Sequence, residues 1–121
     1  MEAEATRQPG RLMTAVSNAL VALHKEQFGR GPTGARSYFA GPDTLVGILE
    51  GALLPAEQAL VEMGEQQRVR DARLFMQVAT ADRFTSTVEE IVGRKVYSFT
   101  SALDPDKAIA YEIFLFEPAR G

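Results

Sequence analysis

Few side chains in this sequence are of types that do chemistry, and their spacing decides most of what they could do. His24 is the single histidine and there is no cysteine, which excludes thiolate catalysis, disulfides, zinc–thiolate sites and a multi-histidine metal site within one chain. His24 stands beside Leu23 on what reads as a helix, with no identifiable orienting partner, and is read as structural or surface rather than as a general base. Glu89 and Glu90 are adjacent on a helix and point to different sides, so they do not share a proton as a carboxylate dyad would. Glu50, Glu57 and Glu62 could meet across a strand and a helix, which spacing alone leaves open. No catalytic residue, metal ligand or cofactor is assigned.

The chemistry that remains is anion recognition in QFGRGPTGARSYFAGPD, residues 27–43. It is not a phosphate loop, because it lacks the lysine and Ser/Thr ending and leaves a helix instead of opening one. A helix exit presents carbonyls and the negative dipole end, so Arg30 is favourable there as a helix-capping charge. Arg36, on the following segment, could join Arg30 in gripping a carboxylate, since the planar guanidinium binds one with two bonds. Arg30, Arg36 and Glu57 are therefore the candidate partner-binding or ligand-binding residues. A structural role for this loop and a binding role both stay open.

The elements that would position these residues are legible in the periodicity. Leu12, Val16, Ala19, Leu20, Leu23 and then Gln27 with Phe28 beside it recur at steps of three and four, which predicts an amphipathic helix over 9–28 opened by Pro9. Gly29 ends it, and Gly31 and Pro32 prevent resumption. ARSYFA and TLVGILEG around GPD predict a hairpin over 35–51. Pro55 opens a second helix with Glu57 near its positive end. Leu54 stands where a hydroxyl or carboxamide cap is expected, so that hydrogen bond is missing unless the leucine packs as a staple. Gly64 bends or breaks this helix, and a long helix follows over 65–92 with two apolar stripes, one through Val69, Ala72 and Phe75, the other through Leu74, Val78 and Val88. Two stripes predict cover on more than one side. Gly93 stops it, and KVYSFTSAL and AIAYEIFLF around DPDK predict a second hairpin.

The order αββααββ implies an α+β fold, with two hairpins forming a mostly antiparallel four-stranded sheet packed against the N-terminal and long central helices. The last strand is apolar on both faces and should be central and covered twice. One long helix and a shorter one can leave one sheet face uncovered in so small a domain, and that surplus apolar surface is the reason to expect a homodimer. One domain over 9–117 is expected, with a flexible tail at 1–8 and another at 118–121. Of the residues, 45% are hydrophobic and 24% charged, the composition of a soluble globular protein. No run reaches the ~20 apolar residues of a bilayer span, and the acidic, polar start is unlike a signal peptide. A cytoplasmic location is expected. Residues 1–41 carry five basic and three acidic side chains and residues 42–93 four and nine. That asymmetry could steer the chain onto a partner, but the net charge of -3 and the lack of a basic, aromatic-laced stripe argue against nucleic acid.

VSNALVALHKEQFGRGPTGARSYFAGPDTLVGILEGALLPAEQAL, followed by VEEIVGRKVYSF and a closing FLFEP, resembles a small bacterial family of formerly unknown function. That family is named after the C component (MpsC-like) of a sodium-translocating, membrane-potential-generating system. The resemblance spans residues 10–116. Its most specific parts are Gly29-Arg30-Gly31-Pro32, Leu49 to Glu57, and Gly93 to Val96, with Leu54 departing from the threonine that members often carry. It implies an accessory protein acting beside membrane cation-transport subunits, peripheral to the inner face of the membrane, without a span of its own and with no catalytic residues to carry across. The alternative that the residues leave standing is a small-molecule-binding or enzymatic domain with a pocket between sheet and helices.

Overall fold

The computed structural model describes residues 9–118. The tails expected at 1–8 and 118–121 lie outside these, apart from Pro118. The elements are α1 (Pro9–Phe28), β1 (Gly34–Phe39), β2 (Thr44–Glu50), α2 (Pro55–Glu62), α3 (Gln66–Val92), β3 (Val96–Asp104) and β4 (Ile109–Phe116). This is the expected α+β order. Among the described residues no helix is long and apolar enough to cross a membrane.

Glycine stops both long helices by the same means. Gly29 and Gly93 each have φ 76°, the left-handed region that costs other residues strain. Their N–H groups donate to the carbonyls of Lys25 and Glu89, at 2.7 and 2.8 Å. At the start of α2, Leu54 offers no side-chain cap, as expected, but its own N–H donates to Glu57 Oε1 at 2.8 Å. One half of a capping box is thus present without the other.

The strands form one antiparallel sheet in the order β1-β2-β4-β3. Pairing of β2 with β4 joins the two hairpins and places β4 inside the sheet, as its two apolar faces predict. Alternation along the strands turns Leu45 and Leu49 of β2 and Ala110, Phe114 and Phe116 of β4 towards the helices. There they meet Val16, Leu20 and Leu23 of α1 and Phe84 and Val88 of α3 in one core. Each such Leu or Phe contributes about 1.5–3 kcal/mol by burial. Gly47 lies at the inward position between Leu45 and Leu49, and a Cβ there would come within 2.4 Å of Leu20 Cδ1. The absence of a side chain is what lets α1 settle onto β2.

One expectation of cover is corrected, that for α3. Among the described residues the helices take one sheet face only. The other carries Tyr38, Val46, Ile48, Tyr111, Ile113 and Leu115 in adjoining registers, with Tyr38 and Leu115 exposed. Nor is α3 covered along both stripes: Val69, Phe84 and Val88 are buried, whereas Phe75 and Val78 are 81% and 76% exposed. Arg70, Arg73, Leu74 and Gln77 turn towards a cavity between α3 and the sheet, and Phe75 and Val78 lie on the part of the helix turned away from it.

Candidate functional site

The cavity has a volume of about 370 Å³ and lies between the end of α1, the middle of α3 and strands β3 and β4. Its apolar wall includes Phe28, Leu74, Phe84, Phe99 and Leu103. Phe99 stacks between Phe84 and Phe114, with ring centroids 5.6 and 4.7 Å apart, which fixes that wall. Its polar side is formed by His24, Arg73, Gln77, Ser101 and Glu112.

Glu112 is where the sheet departs from its own pattern. It occupies the inward position between Ala110 and Phe114 and is only 5% exposed. Oε1 accepts from Ser101 Oγ–H at 3.0 Å, while Oε2 has no protein partner. Burial pushes this carboxyl up to about 8, against the opposing effects of the Ser101 bond and the Arg73 charge. At neutral pH it is a protonated acid and a hydrogen-bond donor. With the Ser101 bond kept in this direction, the proton sits on the unpartnered Oε2.

Arg73 approaches from α3. Nε donates to Glu57 Oε2 and Nη2 to Glu57 Oε1, both at 2.6 Å, and Nη2 also donates to the Ala52 carbonyl at 2.5 Å. The guanidinium lies 4.0 Å from the centroid of the Phe28 ring, a cation–π contact that shields the pair. Burial opposes ionisation of Glu57, but the Arg73 bonds and the Leu54 N–H outweigh it and hold the carboxyl below its ordinary value. One carboxylate therefore clamps α3 and starts α2 at once.

His24 is 3% exposed. Its Nδ1 lies 2.9 Å from the Arg30 carbonyl, and since a carbonyl only accepts, Nδ1 carries the proton and Nε2 is left as an unpartnered acceptor. Burial, with the Arg73 charge added, lowers the imidazole below its usual value despite the Arg30 carbonyl. The ring is neutral at pH 7. Gln77 Oε1 accepts from the Ser101 N–H at 2.7 Å, which leaves its NH2 as the free end of the amide.

The residues singled out from sequence fall in separate places. Arg36 pairs with Glu50 on the open face of the sheet. Arg30 is exposed and serves the cavity through its backbone, by fixing the His24 tautomer. Glu57 serves it through Arg73. Gly31 passes Val21, whose Cγ1 would lie 3.6 Å from an added Cβ, and at the far end of the loop the Thr33 N–H donates to the Glu50 carbonyl at 2.8 Å. Pro55 begins α2. At the corner between α3 and β3, Arg94 donates to the Pro42 carbonyl, Asp43 Oδ1 and the Glu117 carbonyl, tying the two hairpins together.

Sequence reasoning missed Arg73 and Glu112. Both had a signal: Glu112 breaks the apolar alternation at an inward strand position, and Arg73 follows buried Val69 by four residues on the covered side of α3. Searches of curated proteins and of solved structures return no match. The family model described as "Na+-translocating membrane potential-generating system (MpsC)" matches residues 8–118, and this chain belongs to the MpsC family.

Proposed function

We propose that the chain is a non-catalytic accessory or regulatory protein that works as a homodimer beside a cation-translocating membrane system, on the cytoplasmic side. The observation that carries this reading is the family match over residues 8–118, whose name implies association with a sodium-translocating, membrane-potential-generating system. The open sheet face supports self-association. It presents Val46, Ile48, Tyr111 and Ile113 in adjoining rows with Arg36 and Glu50 on the same face, so a two-fold copy can set apolar rows together and exchange opposite charges. Arg30 and Arg36 are exposed or half-exposed cations placed to meet an acidic partner segment.

Affinity capture of the tagged protein from crosslinked cells tests the partner. Membrane cation-transport subunits should be recovered, and fewer of them after the double change Arg30→Ala and Arg36→Ala. Recovery of the protein alone refutes it. Sedimentation at micromolar concentration tests the dimer, and a monomer there removes it. A second reading, a small-molecule-binding domain, is favoured by one observation: the cavity with a buried, half-satisfied carboxyl on its wall.

A further inference from the structure

The cavity's size and chemistry narrow what that second reading would bind. About 370 Å³ falls in the range of small-molecule sites. Phe28, Phe84 and Phe99 line it with apolar surface, suited to an apolar body. Charge is already balanced around it, since Arg73 is paired with Glu57 and the rim carries Arg70 with Asp71. A buried polar atom without a partner is costly, and Glu112, which lines this wall, has one in its Oε2. The polar groups with a free end on this side are two donors, the Glu112 O–H and the Gln77 NH2, and one acceptor, His24 Nε2.

We propose that the cavity binds a small organic molecule with an aryl or alkyl body and a carbonyl oxygen, which accepts a hydrogen bond from the Glu112 carboxyl at Oε2. This rests on the reading of the cavity as a small-molecule site and adds the chemical class of its occupant. The competing class is an organic cation, which would pair with ionised Glu112. An acid held neutral by an apolar site is a strong donor, and a carbonyl ligand leaves it neutral. A cation must first remove its proton. The two classes therefore bind opposite protonation states and respond to pH with opposite signs.

The groups that face Glu112 are His24 from α1 and Arg70, Asp71 and Arg73 from α3, while β2 and β3 bring Gly47 and Ser101, neither of which titrates. His24 is already neutral at pH 7. Above that, Glu112 is the member of this set that changes charge. With its carboxyl at about 8, roughly one molecule in eleven remains protonated at pH 9, so a carbonyl ligand should bind about tenfold more weakly there than at pH 7.

The test is NMR titration of the full chain with four probes of matched body: acetophenone, benzamide, toluene and benzylamine. Acetophenone and benzamide should shift the amides of Ser101, Ala102 and Leu103, with affinity falling about tenfold from pH 7 to pH 9. Toluene should bind more weakly and without pH dependence. Glu112→Gln keeps a donor at the Oε2 position and should retain carbonyl binding while abolishing its pH dependence. Glu112→Leu should reduce acetophenone to the level of toluene, with thermal melting confirming that both variants fold. Preferential binding of benzylamine, strengthening with pH and lost in Glu112→Gln, overturns the ligand class while leaving the cavity a binding site. Failure of every probe to shift those amides at millimolar concentration overturns both.

Discussion

Changing Glu112 to glutamine should stabilise the protein, and by an amount set by pH. In the unfolded chain this carboxyl ionises near its ordinary 4.5, whereas in the fold burial holds it protonated up to about 8. Between those values the unfolded state binds one proton fewer than the native state. Stability therefore falls as pH rises through that window, by about 1.4 kcal/mol per unit. The loss amounts to about 3 kcal/mol at pH 7 and levels off near 5 kcal/mol above pH 8. Glutamine removes the titration but preserves the rest: its oxygen still accepts from Ser101, and its NH2 takes the place of the unpartnered O–H. At pH 4.5 and below, wild type and variant each carry a neutral group whose donor end is unpaired, one O–H against the two N–H of the amide, and the pH-dependent part of the difference should vanish. Urea denaturation of both proteins from pH 4.5 to pH 8.5, at constant ionic strength, measures the difference directly. Subtraction cancels the contribution of Glu57, which runs the other way with pH. A stability difference that is constant across the range, or that favours wild type at pH 7, refutes the assignment of Glu112 as a buried neutral acid.

Arg73→Met should cost about 3 kcal/mol, the low end for breaking a buried pair, because 11% and 14% of the two side chains remain exposed. The same variant should lose part of the acid-side decline of wild type, since the depressed Glu57 carboxyl contributes stability above its ordinary value of 4.5 that is lost as pH falls; urea midpoints at pH 7 and pH 3 check both. Gly47→Ala should destabilise by about 1–3 kcal/mol through the clash with Leu20, and an unchanged melting temperature would mean that α1 can lift from β2 without loss. Leu54→Thr should add about 0.5–1 kcal/mol by supplying the missing half of the capping box at α2; no gain would mean that the leucine already contributes equal packing.

The fold was legible because its boundaries are written in residues with one physical meaning. Gly29 and Gly93 can hold positive φ cheaply, GPD and DPDK can turn, and apolar spacing switches between helical and strand periods at those points. What could not be read was how much of each apolar stripe is used. Val69 of one stripe and Val88 of the other are buried, while Phe75 of the first and Val78 of the second lie in solvent. The open sheet face was legible only as surplus apolar surface, since strand apolarity records that a surface is shielded without saying by what.

The site was hidden by a different habit of reading. Charged residues read as surface unless a motif says otherwise, so Arg30 and Arg36, conspicuous beside glycine and proline, were legible as candidates while Arg73 and Glu112 were not. The better signal is a charged residue at a position the periodicity assigns to the core. Such a residue costs stability unless something compensates. For Arg73 the compensation is Glu57, the Ala52 carbonyl and the Phe28 ring, which makes it structural. For Glu112 it is incomplete, one oxygen bonded and one not. A fold needing only stability would be better served there by an apolar residue continuing from Ala110 to Phe114. The retained acid, facing a cavity instead of solid core, is what a ligand would satisfy, and the measured pH dependence of that satisfaction decides between a carbonyl oxygen and a cation.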